Sequence, residues 1–261
     1  MDTYANGVRI SYDDLGKGEP ALLLMPGWCA NRTAMFNQLA EACGKHRRVL
    51  ALDWRGHGLS ETPKADFGAR DLVEDALAVI ESSGAQQIVP VATAHAGWVA
   101  IELRRMLGER IPKIALLEWM VFEAPPPFVE ALGALQDPQR WEQAREQLFT
   151  MWLTGVDNPD VIRLVREMGS QSFEMWARAG REISAAYTEQ RAPLQALSKL
   201  EKLIPVMHLY AQESPGYLAA QEAFAAEHPW FTVRRIAARS HFPMTEVPGE
   251  AAAELERFVD G

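Results

Sequence analysis

Val89-Pro90-Val91-Ala92-Thr93-Ala94-His95-Ala96-Gly97-Trp98 decides how this chain is read. An apolar run of strand length leads into small residues that permit a tight turn, and then into the helical pattern of residues 98–107. At such a strand-turn-helix many enzymes hold a nucleophilic serine on a sharp elbow, with a glycine two positions to either side. Here Ala92 and Ala96 stand for the glycines and Ala94 for the serine. The turn remains sterically possible, but the nucleophile is gone.

On either side of this stretch, apolar runs of strand length recur at residues 21–25, 48–52, 87–91, 113–117, 204–210 and 231–236. Segments of helical period lie between most of them, as at residues 69–81, where Leu72, Asp75, Ala76 and Val79 share a face. Such alternation predicts an α/β domain with a mostly parallel central sheet flanked by helices. Val8-Arg9-Ile10-Ser11-Tyr12, followed by Gly16-Lys17-Gly18, predicts an antiparallel edge strand and turn.

The alternation stops after Trp119. Residues 128–191 are helical in pattern and rich in Trp, Phe and Met, including Trp141, Leu148, Trp152, Met168, Phe173, Trp176 and Tyr187. This segment is expected to be a cap over the carboxyl edge of the sheet, where open α/β sheets bind ligands. The expected division is a core of residues 1–121 and 192–261, with a helical cap, 122–191, inserted after the strand that ends near Leu117. Pro125-Pro126-Pro127 is expected to form a stiff hinge into it. Packing within the cap accounts for most of its aromatic residues.

A chain of 261 residues, 48% hydrophobic, can bury one large core. Its net charge of −9 argues against a nucleic-acid partner, which requires clustered Lys and Arg to neutralise phosphates. Cys29 and Cys43 cannot build a disulfide framework, and no charged segment followed by an apolar one opens the chain, so a cytoplasmic location is expected. No apolar run approaches the roughly 18 residues needed to span a bilayer, so no membrane partner is expected. The sequence does not indicate an oligomeric state.

Four segments fall at strand ends along one edge of the predicted sheet: Met25-Pro26-Gly27-Trp28-Cys29, Asp53-Trp54-Arg55-Gly56-His57-Gly58-Leu59-Ser60, the elbow around Ala94, and Ser240-His241-Phe242-Pro243. The first is a glycine turn that can present a backbone N–H to an anion. Together with Asn6-Gly7-Val8 these segments resemble the α/β-hydrolase superfamily over essentially the whole chain. That resemblance makes His241 the catalytic histidine. His46, His208 and His228 lack such a context and are expected to be structural or solvated, and His57 is expected to fix its turn. A catalytic imidazole needs a carboxylate on its other nitrogen, and two are available: Glu118 closing one strand, and Glu213 following another. Glu118 is preferred. Thr93 is one position out of register for attack, and Cys29 would need a lowered pKa and an adjacent base.

Further details resemble one branch of that superfamily, the cofactor-independent 2,4-dioxygenases of 3-hydroxy-4(1H)-quinolones. They are Pro26-Gly27-Trp28-Cys29, Asp53-Trp54-Arg55-Gly56-His57-Gly58, His95 with Gly97-Trp98, Glu118-Trp119, the cap run Leu148-Phe149 with Trp152-Leu153 and Gly155, and His228-Pro229-Trp230-Phe231. The branch typically has aspartate for Glu118, serine for Ala94 and histidine for Ala30. What the resemblance implies is a His–carboxylate pair that removes the 3-hydroxyl proton of a small aromatic substrate, whose anion reduces O2 without metal or flavin. A peroxide at C2 then closes onto C4, and the ring opens to carbon monoxide and an N-acylanthranilate.

On the same basis His241 is the base and Glu118 its partner, and the N–H groups of Trp28 and His95 hold the 4-oxo group beside Ala94, Cys29 and Ala30. Trp152 lies against the ring, with Trp119, Phe149, Met151 and Phe242 also at the pocket. Alanine at 94 and 30 enlarges the pocket, which suggests a long 2-alkyl tail such as heptyl. Two rival readings remain open: a hydrolase or lyase using His241 without O2, and a non-catalytic binder of an aromatic ligand.

Overall fold

The computed structural model describes residues 1–211 and 215–261. The apolar runs form strands β1 (Asp2–Ala5), β2 (Val8–Leu15), β3 (Ala21–Met25), β4 (Val49–Leu52), β5 (Ile88–Thr93), β6 (Ile114–Leu117), β7 (Val206–Tyr210) and β8 (Phe231–Arg235). They make one sheet in the order β1-β2-β4-β3-β5-β6-β7-β8. The pairs β1 with β2 and β2 with β4 are antiparallel, and all others are parallel. Every residue of β3, β4, β5, β6 and β7 is buried. They are covered on both faces, so they read as continuous apolar runs rather than alternating ones.

The strands are linked by α1 (Arg32–Cys43), α2 (Ala69–Ser83) and α3 (Ala96–Leu107); α1 packs against the carboxyl-terminal helix Pro248–Asp260, and α2 against α3. Between β6 and β7 the chain forms α4 (Pro126–Leu135), α5 (Trp141–Leu153), α6 (Pro159–Gly169), α7 (Phe173–Gln190) and α8 (Pro193–Ser198). Helix α4 packs on α7 and α5, while α6 rests on α1 and on the short α10 (Pro243–Glu246). Beyond β7 comes α9 (Pro215–Glu227), and Pro248–Asp260 is α11. Among the described residues no helix is long and apolar enough to cross a membrane.

Two local expectations are corrected. The edge is a hairpin rather than a single strand, because Asn6 and Gly7 take φ of 50° and 82° and close a two-residue turn between Ala5 and Val8. The proline run does not extend as a hinge: Pro125 caps α4 and the helix begins at Pro126. A proline at the first helical position loses no hydrogen bond, and its fixed φ already suits a helix.

Candidate active site

Among the parallel strands, non-glycine residues with positive φ stand beyond three carboxyl ends: Cys29 at 67° after β3, Ala94 at 48° after β5 and Glu118 at 47° after β6. Such conformations persist only where the surrounding structure enforces them, and they collect at functional sites. At the first turn, the N–H of Cys29 donates to Nε2 of His57 at 3.0 Å, and the indole N–H of Trp54 donates to the carbonyl of Pro26 at 2.7 Å. His57 Nδ1 lies 2.9 Å from the carbonyl of Arg55, and burial pushes this imidazole down to about 4, so it stays neutral and accepts. Asp53 takes the N–H groups of Arg32 at 2.8 Å and Leu59 at 2.9 Å, and Arg55 is bound to Asp75. The Asp53 to Ser60 motif is thus the scaffold for the Trp28 turn, and His57 fixes that turn.

The elbow is built at Ala94, whose N–H donates to the carbonyl of Leu117 at 2.9 Å. Gly97 follows in α3, and a Cβ there would lie 2.2 Å from the Trp119 ring. Trp119 closes on the elbow through that gap. Its indole N–H reaches Nδ1 of His95 at 3.3 Å, and its ring meets Trp98 edge-on at 4.9 Å. Burial, with the neighbouring His241, pushes the His95 imidazole down to about 3.

Glu118 is 2% exposed, and its Oε2 lies 3.7 Å from Nδ1 of His241. That separation is longer than a hydrogen bond, and contacts of this kind in active sites commonly tighten when substrate arrives. The other oxygen, Oε1, accepts the N–H of Ala211, and the N–H of Glu118 donates to Leu209 at 3.1 Å. On the cap side Trp152 lies parallel to His241, with centroids 5.3 Å apart and planes 6° apart. Glu213, the alternative carboxylate, lies outside the described residues.

These groups open on one cavity of about 320 Å³ between sheet and cap. Trp28, Ala94, His95, Glu118, Trp119, His241 and Phe242 line it from the core, and Met151 and Trp152 line it from the cap. Cys29, Ala30 and Phe149 are expected at the pocket, and the structure places them elsewhere. Cys29 and Ala30 are 2% and 1% exposed and are not among the residues that line the cavity, and burial pushes the Cys29 thiol up, away from any thiolate. Phe149 points into the cap against Trp176 at 5.8 Å. The cavity face of α5 is instead Leu148, Met151 and Trp152, three residues at helical spacings of three and four.

Other wall residues escaped the sequence reading. Phe128 lies parallel to His95 at 5.8 Å, and Tyr217 accepts the N–H of Val121 at 2.6 Å. The Tyr187 hydroxyl donates to the carbonyl of Met120 at 2.6 Å, tying cap to core. Trp176, also in the wall, was visible as a cap aromatic, as was Tyr187, which does not line the cavity; helical spacing does not separate a cavity wall from a packed interior. Among the described residues no three His, Cys, Asp or Glu side chains gather as a metal site.

The fold and the elbow–histidine–acid arrangement place the chain in the Alpha/beta hydrolase family, whose model matches residues 22–255. Within it the chain belongs with the 3-hydroxy-4-quinolone dioxygenases. It is 37% identical over 261 residues to a 2-heptyl-3-hydroxy-4-quinolone dioxygenase of Rhodococcus erythropolis, covering 98% of this chain and 96% of the relative. It is 35% identical over 258 residues to the 1H-3-hydroxy-4-oxoquinoline 2,4-dioxygenase of Pseudomonas putida, covering 97% of each. A solved AqdC variant in complex with its substrate, described for recognition and ring-cleavage of the Pseudomonas quinolone signal, superposes with a TM-score of 0.94 at 34% identity over 100% of both chains.

Proposed function

We propose that this chain is a cofactor-independent dioxygenase that opens the ring of a 2-alkyl-3-hydroxy-4(1H)-quinolone with O2, releasing carbon monoxide and an N-acylanthranilate. The observation that carries this reading is a base without a nucleophile. His241 and the buried Glu118 border a largely apolar cavity in which the elbow presents Ala94, and the nearby thiol of Cys29 is buried and held protonated.

His241 takes the 3-hydroxyl proton, and the Glu118 carboxylate stabilises the imidazolium that results. Charge developing on the 4-oxo group is met by the N–H groups of Trp28 and His95, neither of which has a backbone acceptor among the described residues. His95, neutral, does not compete for the proton. The anion transfers its electrons to O2, a C2 peroxide forms and closes onto C4, and C3 leaves as carbon monoxide; both oxygen atoms of O2 are retained in the products. The apolar walls exclude water that would otherwise protonate the anion.

The tail extends under the cap, where Leu132, Leu135, Met168, Ala179 and Ile183 line the same cavity. These walls favour 2-heptyl over 2-methyl substrates, since each buried methylene contributes about 0.8 kcal/mol. The cytoplasm, where free thiols such as Cys29 and Cys43 stay reduced, is the assigned compartment. The test is to incubate chelator-treated protein with 2-heptyl-3-hydroxy-4(1H)-quinolone and to measure O2 uptake and carbon monoxide release. Equimolar exchange is expected; no gas exchange with 2-heptyl or 2-methyl substrate removes the reading.

A further inference from the structure

Beside the pair, β7 buries a second histidine that no step of the reaction uses. His208 and Gln221 are both fully buried. Nε2 of His208 accepts the backbone N–H of Trp119 at 3.0 Å, and its other nitrogen, Nδ1, meets Oε1 of Gln221 on α9. The orientation of every group follows from donors and acceptors alone. A backbone N–H can only donate, so Nε2 must be unprotonated, and the neutral ring carries its proton on Nδ1. A protonated Nδ1 needs an acceptor, which turns the Gln221 oxygen toward it and leaves the amide nitrogen on the far side.

That nitrogen, Nε2 of Gln221, has no hydrogen-bond partner among the described residues. A buried amide left half unsatisfied is destabilising relative to an apolar side chain of the same shape. What the glutamine supplies, and an apolar residue would not, is the acceptor for His208. Burial also pushes His208 down, and the neighbouring His241 lowers it further, although Glu118 lies within its electrostatic reach. Were the ring protonated, Nε2 would confront the Trp119 N–H donor to donor.

Trp119 directly follows Glu118, whose φ of 47° must be enforced from outside. The enforcing bonds come from β7 and its end: Leu209 to the Glu118 N–H, Ala211 to the carboxylate and His208 to the Trp119 N–H. Resting on the reading of Glu118 and His241 given above, we propose that His208 and Gln221 are positioning residues for that pair. Gln221 selects the His208 tautomer, the tautomer holds the Trp119 N–H, and the pinned turn aims the Glu118 carboxylate at His241.

The experiment pairs Gln221→Met, close in volume but a poor acceptor, with Gln221→Glu, which keeps an oxygen toward Nδ1. Gln221→Met is expected to lower kcat about tenfold with KM changed less than about twofold, as for a catalytic group displaced without loss of binding. Gln221→Glu is expected to stay within about threefold of wild type because its oxygen accepts the same bond. ¹⁵N-histidine NMR on the wild type is expected to show His208 protonated on Nδ1, with the His241 ring signals moving in Gln221→Met and not in Gln221→Glu. Wild-type kcat in Gln221→Met, equal losses in both variants, or a His208 protonated on Nε2 would overturn the proposal. The NMR measurement needs no turnover and, in the wild type, no variant. A wild type that consumes no O2 would therefore count against the reaction and leave the positioning to be judged on the tautomer.

Discussion

Oε2 of Glu118 stands 3.7 Å from Nδ1 of His241, at the mouth of a turn whose backbone is held in the left-handed region. The carboxylate is buried while the imidazole is half-buried and borders the cavity. In the proposed reaction the acid holds and orients the ring through Nδ1, and Nε2 takes the proton.

Replacing His241 by alanine removes the base and leaves the aromatic walls standing. Turnover is expected to fall by about 10² to 10⁴, with substrate affinity, read by quenching of tryptophan fluorescence, changed only a few-fold. A matching loss of affinity would mean that His241 binds rather than reacts.

Glu118→Gln keeps the side-chain shape but removes the charge that favours imidazolium. A smaller loss of kcat is expected, about ten- to a hundredfold. Near-wild-type activity would move the role to Glu213, beyond the described residues.

At the elbow, Ala94 has φ of 48° and its side chain borders the cavity. Ala94→Ser is expected to keep ring cleavage, since only the backbone and the free space are used. Ala94→Val should lose both folding yield and activity, because a β-branched residue is strongly disfavoured at positive φ. If the serine variant lost ring cleavage while gaining ester hydrolysis, the elbow's assigned role would be wrong.

Gly97→Ala would drive a methyl group into the Trp119 ring, 2.2 Å away. Overpacking of this kind costs about 1–3 kcal/mol, or a fall in Tm of roughly 2–10 °C for a chain this long. Because Trp119 is next to Glu118, kcat should fall as well. An unchanged melting curve would contradict the close approach.

The buried imidazoles set an acid limit on stability. His57 is held down to about 4 and His208 is lowered too, both chiefly by burial, so the unfolded chain binds protons more readily than the folded one. Their contribution is fully present above about pH 6.5, the unfolded value, and is lost as pH falls from there toward the folded values. Urea midpoints should therefore drop between pH 7.5 and 5.5; a rise over that interval would contradict the assignment.

The elbow, the Trp28 turn and His241 were legible in the sequence because each is a short motif at a strand end, where backbone geometry dictates residue type. Phe149 was misplaced because the face of a helix that meets a cavity depends on its rotation against neighbours, and Leu148 fits the same apolar pattern. Cys29 was expected at the site because it adjoins Trp28, yet it is buried outside the cavity lining, which adjacency in sequence does not reveal. The bond between His208 and Gln221 was invisible because it joins a strand to the following helix across thirteen positions, with no motif on either side. The hairpin at Asn6-Gly7 did carry its usual signal, but the four-residue strand before it is too polar to stand out.

In the proposed reaction His241 converts the bound ring to its anion before O2 is consumed. The measurement is the absorption spectrum of the 2-heptyl substrate bound without oxygen, in wild type and in His241→Ala at the same pH. The anion's spectrum is expected in the wild type, bleached on admitting O2, and the neutral ring's spectrum in the variant. A neutral ring in the wild type, or an anion in both proteins, would contradict it.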